Sequence, residues 1–156
     1  MQEILLNDTL VLPCPAGFHL MTEAERSGVS PAEDGPWIGL SAPEKHILVT
    51  AGWKQVRGLA ALLGRGDLAK NMEKRIRRPM QPYGYRLEGF TERSIAGERA
   101  AGFRYGYRAQ GTEMYAESYA LKRGGAVYYF HFYARAALKA ESLPVWEEML
   151  GFVRAR

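Results

Sequence analysis

From Ala101 to Arg108 the chain alternates strictly: Ala101, Phe103, Tyr105 and Tyr107 are interleaved with Gly102, Arg104, Gly106 and Arg108. A period of two sends successive side chains to opposite faces, so the stretch reads as a strand with one bulky face and one small or charged face. Gln110-Gly111 interrupts it, and glycine supplies the positive φ a tight hairpin needs. From Thr112 to Lys122 the alternation resumes, with Met114, Ala116, Ser118 and Ala120 on one side and Tyr115, Glu117, Tyr119 and Leu121 on the other. Arg123-Gly124-Gly125 is a second hairpin signal. Ala126 to Arg135 is β-branched and aromatic on both faces, which predicts a strand covered on both sides and therefore central in its sheet. Tyr85 to Arg93, turning through Ala96-Gly97, supplies a further strand upstream. The expectation is a four-strand antiparallel meander.

Such a sheet needs a cover, and the carboxyl end supplies an amphipathic helix. Ser142 is the expected N-cap, Pro144 falls in the first turn, and Glu147 and Glu148 lie toward the positive end. Trp146, Met149, Leu150 and Val153 share a stripe at helical spacing. The helix is expected to pack on the sheet through Trp146, with Arg154 and Arg156 at its negative end.

Towards the amino end, Glu3 to Leu12 reads as a first strand around an Asn7-Asp8 turn, broken by Pro13-Cys14-Pro15-Ala16-Gly17. Phe18 to Thr22 predicts a short strand, and Thr22-Glu23-Ala24-Glu25 the start of a short helix. Ser27 to Pro36 has the composition of a surface loop. Trp37 to Leu40 and His46 to Trp53 predict a hairpin extending the same sheet. Beyond Gln55, Val56, Leu59, Ala60 and Leu63 take helical spacing, weakened by Gly58. Gly64-Arg65-Gly66 is expected to break the chain and Asp67 to cap a second helix. Leu68, Met72 and Ile76 form its apolar face, and Pro79 and Pro82 are expected to stop it.

Several chemistries lack their residues. Cys14 is the only cysteine, so no internal disulfide exists, and no Cys/His spacing suits zinc. His19, His46 and His131 show no HxH or HExxH spacing, and no Gly-x-Ser-x-Gly elbow or Walker lysine is present. Glu147 and Glu148, adjacent on a helix, diverge rather than converge on one substrate. The reading is therefore of a protein that is not an enzyme, with no cofactor and no metal. No apolar run reaches the length of a membrane span, and the amino end has neither a basic n-region nor a signal-length apolar stretch. A cytoplasmic protein is expected, with no membrane association.

The order of elements resembles the Mog1/PsbP-like superfamily of α/β/α sandwiches. The resemblance rests on the opening Leu12-Pro-x-Pro-Ala-Gly-Phe18, the turn and strand from Ile95 to Tyr105, the Gly-Gly hairpin into Val127 to Phe132, and the final Trp146 to Val153 helix. It implies an α+β fold spanning residues 1–156 as one domain, largely an antiparallel sheet with flanking helices. Members of that superfamily include a Ran-binding nuclear-transport factor, an extrinsic photosystem subunit, and bacterial lipoproteins and chaperone-like proteins. The resemblance therefore implies a binding or accessory role, here in a bacterial cytoplasmic setting.

Two surfaces stand out as candidates. The run from Lys70 to Arg78 places Lys70, Lys74, Arg77 and Arg78 on the second helix, interrupted by Glu73, while Arg104 and Arg108 project from the meander near tyrosines. Cations among aromatics are what single-stranded nucleic acid would use, against the plainer reading of a solvated helix face. On the central strand, Tyr129, His131 and Tyr133 share a face and could line a pocket, although a histidine among strand aromatics is more often a hydrogen-bonded packing residue. The leading expectation is a module recognising a protein partner through the sheet edge or nearby loops. The alternative is a nucleic-acid or anionic-ligand binder using the Asp67 to Arg78 helix. The oligomeric state is expected to be a monomer or an edge-strand homodimer.

Overall fold

The computed structural model describes residues 2–29 and 33–156, without the side chains of Leu59 and Ala60. The expected loop from Ser27 to Pro36 therefore lies partly, at 30–32, outside the described residues.

Seven strands form one antiparallel sheet. They are β3 (His19–Leu20), β4 (Trp37–Ala42), β5 (Ile47–Gln55), β6 (Arg86–Ile95), β7 (Glu98–Ala109), β8 (Thr112–Arg123) and β9 (Ala126–Arg135), in the spatial order β3-β4-β5-β9-β8-β7-β6. The strand that is apolar on both faces, β9, occupies the centre. Its neighbours are β5 (Thr50 opposite His131) and β8 (Ser118 opposite His131). The meander from β6 to β9 turns where the Gly signals predicted. Gln110 and Gly111 both have positive φ, as do Gly124 and Gly125, the backbone twist that suits two-residue hairpins. Gly102 answers a different need: a Cβ there would overlap the carbonyl oxygen of Ser118 on the next strand.

Strand alternation sorts the residues onto two faces. Tyr115, Tyr119 and Leu121 of β8 join Tyr128, Phe130 and Phe132 of β9 in a core beneath the helix α3 (Lys139–Phe152). Phe103 and Tyr105 of β7, with Ala116, Ala120, Val127 and Tyr129, form the other face beneath the helix α2 (Arg65–Met80), which contributes Leu68, Met72 and Ile76. A four-residue helix α1 (Glu23–Arg26) starts where expected and opens on a capping box, in which the Thr22 side chain accepts from the Glu25 N–H and the Glu25 carboxylate accepts from the Thr22 N–H. That backbone donor, with His19, holds the Glu25 carboxyl below the usual carboxylate range.

The termini depart from the linear reading. Residues Gln2–Leu6 (β1) and Leu10–Cys14 (β2) form a hairpin, and Arg154–Ala155 (β10) pairs with β2, giving a separate three-stranded sheet. It closes the α3 core with Leu6, Leu10 and Leu12. The strand runs on through Pro13 because β2 has a single neighbour there, the setting in which a sheet tolerates proline. Arg154 and Arg156 consequently lie beyond the helix, pairing with Glu3 at 2.8 Å and Asp8 at 3.4 Å.

Helix ends also moved from their expected places. The last helix begins at Lys139, not Ser142, since Ala136 to Ala140 is itself a good helix former; Ser142 is buried and Pro144 lies inside the helix. On α2 the N-cap is Gly64, and Asp67 sits in the first turn, where its charge faces the positive helix end. The helix continues through Pro79 to Met80, and that proline removes the N–H that would bond the Arg75 carbonyl. The segment after Gln55 forms only a short 3-10 turn, Gly58–Leu62. Lys122 pins it by donating to the carbonyl oxygens of Ala61 (2.6 Å) and Leu63.

Candidate functional site

The six cations singled out in the sequence do not form one surface. Lys70, Lys74, Arg77 and Arg78 are exposed on α2. Arg104 lies opposite Glu117, whose carboxylate accepts from Trp146 of α3, so Arg104 and Arg108 occupy the other face of the sheet. Arg108 is held by Glu113 at 3.0 Å, a carboxylate that Arg86 also bonds and thereby holds below the usual carboxylate range. Period-two alternation makes this separation unavoidable, because Tyr105 and Tyr107 point at the α2 side and their neighbours cannot.

Glu73 was expected to interrupt the basic run on α2, and it does not. Its side chain is buried, accepting from the Tyr85 hydroxyl at 2.7 Å and lying 3.4 Å from Arg77 Nε. Burial, and then this hydrogen bond, push the Tyr85 hydroxyl well above its ordinary value. With the one acid of the run turned inward, the outer surface carries cations alone.

Tyr129, His131 and Tyr133 share the α2-facing side of β9 but have three different surroundings. The Tyr129 ring lies under the Arg75 guanidinium, 5.7 Å from its centroid. His131 is buried; its Nδ1 shares a hydrogen bond with Ser118 Oγ at 2.7 Å and its Nε2 lies 2.9 Å from the Glu33 carboxylate. The hole beside it measures about 20 Å³, room for about one water molecule. Tyr133 spans from that hole to a much larger feature that the sequence did not suggest.

That feature is an open groove of about 920 Å³ on the α2 face, at the end of the sheet where β5 begins and β9 ends. Tyr105, Tyr107, Met114 and Tyr133 make its floor, and Ile76, Pro79, Met80 and Tyr83 one wall. The opposite wall is Val29, Pro43 and Leu48. The tyrosine rings pack on one another, with Tyr105 5.9 Å from Tyr107 and 5.5 Å from Phe103. Burial drives the Tyr105 and Tyr133 hydroxyls well up and the Tyr107 hydroxyl up to about 12. All three are therefore neutral phenols at any physiological pH.

At Arg75 and Pro79 the groove continues into a second depression of about 500 Å³, edged by Lys54, Lys74, Arg75 and Arg78, with Glu33 and Asp34 across from them. A smaller one adds Arg77 and Gln81. Among the described residues no ion pair involves Lys54, Lys70, Lys74, Arg75 or Arg78, and no group of His, Cys, Asp and Glu side chains is arranged to hold a metal. The free side of β6 is the other exposed feature, a ten-residue sheet edge carrying Leu87 and Phe90 in solvent. No helix of the described chain is long and apolar enough to cross a membrane.

The arrangement can bind; the histidine–carboxylate–hydroxyl grouping Ser118–His131–Glu33 is enclosed, with Ser118 fully buried. No family model matches the chain, and no curated protein matches it. Solved structures do. The cyanobacterial PsbP protein CyanoP of Synechocystis sp. PCC 6803 superposes with a TM-score of 0.72 at 13% identity, covering 99% of this chain and 92% of its own. LpqN of Mycobacterium tuberculosis, described as involved in cell envelope biogenesis, superposes at 0.62 with 13% identity, over 94% and 82%. A protein of unknown function from Pseudomonas aeruginosa gives 0.55 at 14% identity, over 95% and 92%. Identities this low speak for the fold alone. An antiparallel sheet carrying helices on both faces, matched over nearly its whole length by a PsbP structure, is the Mog1/PsbP-like α+β fold, and this chain has it.

Proposed function

We propose that this protein is a cytoplasmic binding module, not an enzyme, that docks a segment of a partner protein in the groove between α2 and the sheet. The observation that carries the reading is the groove itself, an open, tyrosine-floored cleft of about 920 Å³. Tyrosine, methionine and arginine are the residues that protein interfaces enrich, because they offer large contact area with a polar tip. The His131 region supports a non-catalytic reading, since a hole the size of one water admits no substrate. LpqN, of the same fold, is described as involved in cell envelope biogenesis, an analogy that bears neither on the groove nor on the compartment.

The free edge of β6 is the competing place for a partner, a second copy of this chain included, since an unpaired strand is a template for another. One experiment separates the two. Tyr83 in the groove, Phe90 on the β6 edge and Phe152 on the far side of the molecule are each replaced by a photo-crosslinking phenylalanine analogue, and cells are irradiated. The groove reading expects a discrete protein adduct from position 83 and none from 152. An adduct only from 90 moves the partner to the edge, and one the size of two copies identifies a homodimer. A nuclease-sensitive adduct at 83 would replace a protein partner by nucleic acid, the reading that the exposed cations of α2 would then favour.

A further inference from the structure

The chemistry of the groove's rim narrows the partner. Lys70, Lys74 and Arg78 follow one another at intervals of four on α2, so each stands directly above the next. Like charges at that spacing repel and destabilise a helix. Outside α2 several arginines pair with carboxylates: Arg86 and Arg108 with Glu113, Arg93 with Glu147, Arg123 with Glu98. On α2, Arg65 at the helix start pairs with Glu92 and Arg77 with the inward-turned Glu73, and among the described residues Lys70, Lys74, Arg75 and Arg78 have no carboxylate partner. Lys54 of β5 is added to the same depression from the sheet. Arg75 is positioned by its stacking over Tyr129, at the point where the apolar groove and the cationic depression meet.

We infer that the groove takes an acidic amphipathic segment of a partner protein, its apolar residues on the Tyr105, Tyr107 and Tyr133 floor and its carboxylates against Lys74, Arg75 and Arg78. The inference rests on the reading of the groove as a docking site. An apolar stripe flanked by carboxylates matches the groove floor and the α2 wall of the depression side by side; on the far wall Glu33 is turned to His131, and Asp34 faces the cations. Nucleic acid would need ring faces free for base stacking. Here the Tyr129 face is covered by Arg75, and Tyr105 is stacked against Phe103 and Tyr107.

Three fluorescein-labelled 16-residue peptides test the idea by anisotropy against the full chain. The first carries Leu and Phe at helical spacing with Glu elsewhere, the second replaces Glu by Lys, and the third keeps Glu but replaces Leu and Phe by Ser. The first is expected to bind at least ten-fold more tightly than either control. The double substitution Lys74→Glu with Arg78→Glu, on exposed side chains and checked for unchanged circular dichroism, is expected to weaken it at least ten-fold and to strengthen the Lys peptide. Tyr107→Ala is expected to weaken it while leaving the Ser peptide unchanged. Equal binding of the Glu and Lys peptides overturns the proposal, as does an unchanged affinity in the charge-reversed chain. Displacement of the first peptide from the groove by oligo-dT or by phosphatidylglycerol vesicles overturns it too, in favour of those ligands. If no peptide binds while position 83 still crosslinks a protein, the acidic chemistry fails and the docking site stands; if position 83 is also silent, both fail.

Discussion

The two faces of the large sheet start from the same material, aromatic residues at every second position, and end as different surfaces. On the α3 side the central strands β8 and β9 are fully covered. Trp146 is 1% exposed and stacks on Phe132 at 5.1 Å, and the small terminal sheet closes the remaining flank. The buried carboxylate there, Glu117, accepts from Tyr115 at 2.5 Å, Trp146 at 3.1 Å and Tyr119 at 3.2 Å, so that its burial is matched by hydrogen bonds. On the α2 side a single 16-residue helix packs on β7, β8 and β9 and leaves one end of the face open. Tyr107 and Tyr133, half-buried there, would be core residues under a wider cover. Whether an aromatic strand face becomes core or site is decided by how much of it the covering elements reach.

The largest effect expected from this difference is alkaline. Burial raises seven tyrosines, at 85, 105, 107, 115, 119, 129 and 133. A tyrosine in the unfolded chain ionises at about 10. Below that pH both states are protonated and the stabilisation is complete. Above it the unfolded chain loses protons first, so stability falls as pH rises toward the folded values. The urea midpoint should hold between pH 7 and 9 and drop steeply from pH 10 to 12, and a flat profile would contradict the buried-phenol picture. Phenolate absorbance sharpens the contrast. Tyr107, at the groove, should ionise near pH 12 in the folded chain, whereas Tyr115 and Tyr119 should appear only on unfolding.

Next in size is a pair of truncations. Trp146→Ala removes the centre of the closed face and should cost about 3–5 kcal/mol, while Tyr107→Ala at the open face should cost about 1 kcal/mol. Equal losses by denaturant unfolding would mean that the two faces do not differ as described. Glu117→Ala leaves two phenols and an indole without their acceptor and should cost about 1–3 kcal/mol. A neutral result there would show that the carboxylate is dispensable to the closed face. Smallest is Lys74→Glu, which relieves repulsion with both Lys70 and Arg78 and should stabilise α2 by about 0.4–1 kcal/mol, two pairs at about 0.2–0.5 kcal/mol each. A loss of stability in thermal melts would mean that Lys74 is part of the fold's support and not a rim held at a cost.

Much of the sheet could be read in advance, because alternation and paired turn glycines are local signals. The four meander strands begin and end within a few residues of their expected places, and β9 is central for the reason its two apolar faces implied. The anchoring tryptophan was visible for the same kind of reason, as part of a helical stripe. The groove was not legible. Tyr105 and Tyr107 carry the same alternation signal as Phe103, and only the position of α2 separates a covered ring from an open one. Nor could Glu73 be placed from sequence, since its inward turn depends on Tyr85 reaching it from 12 residues away. The terminal sheet joins residues more than 140 positions apart, Leu10 with Ala155, for which no local pattern exists.

Residue order alone therefore determined the strands, their turns, which side chains share a face and which helix carries the tryptophan, since these follow from backbone periodicity over a few neighbours. Tertiary structure decided where the covers fall short, which cations are left facing solvent without a carboxylate, and which tyrosines line a groove. Those properties belong to the distances between elements remote in sequence, and a period of two or of 3.6 residues carries no information about them.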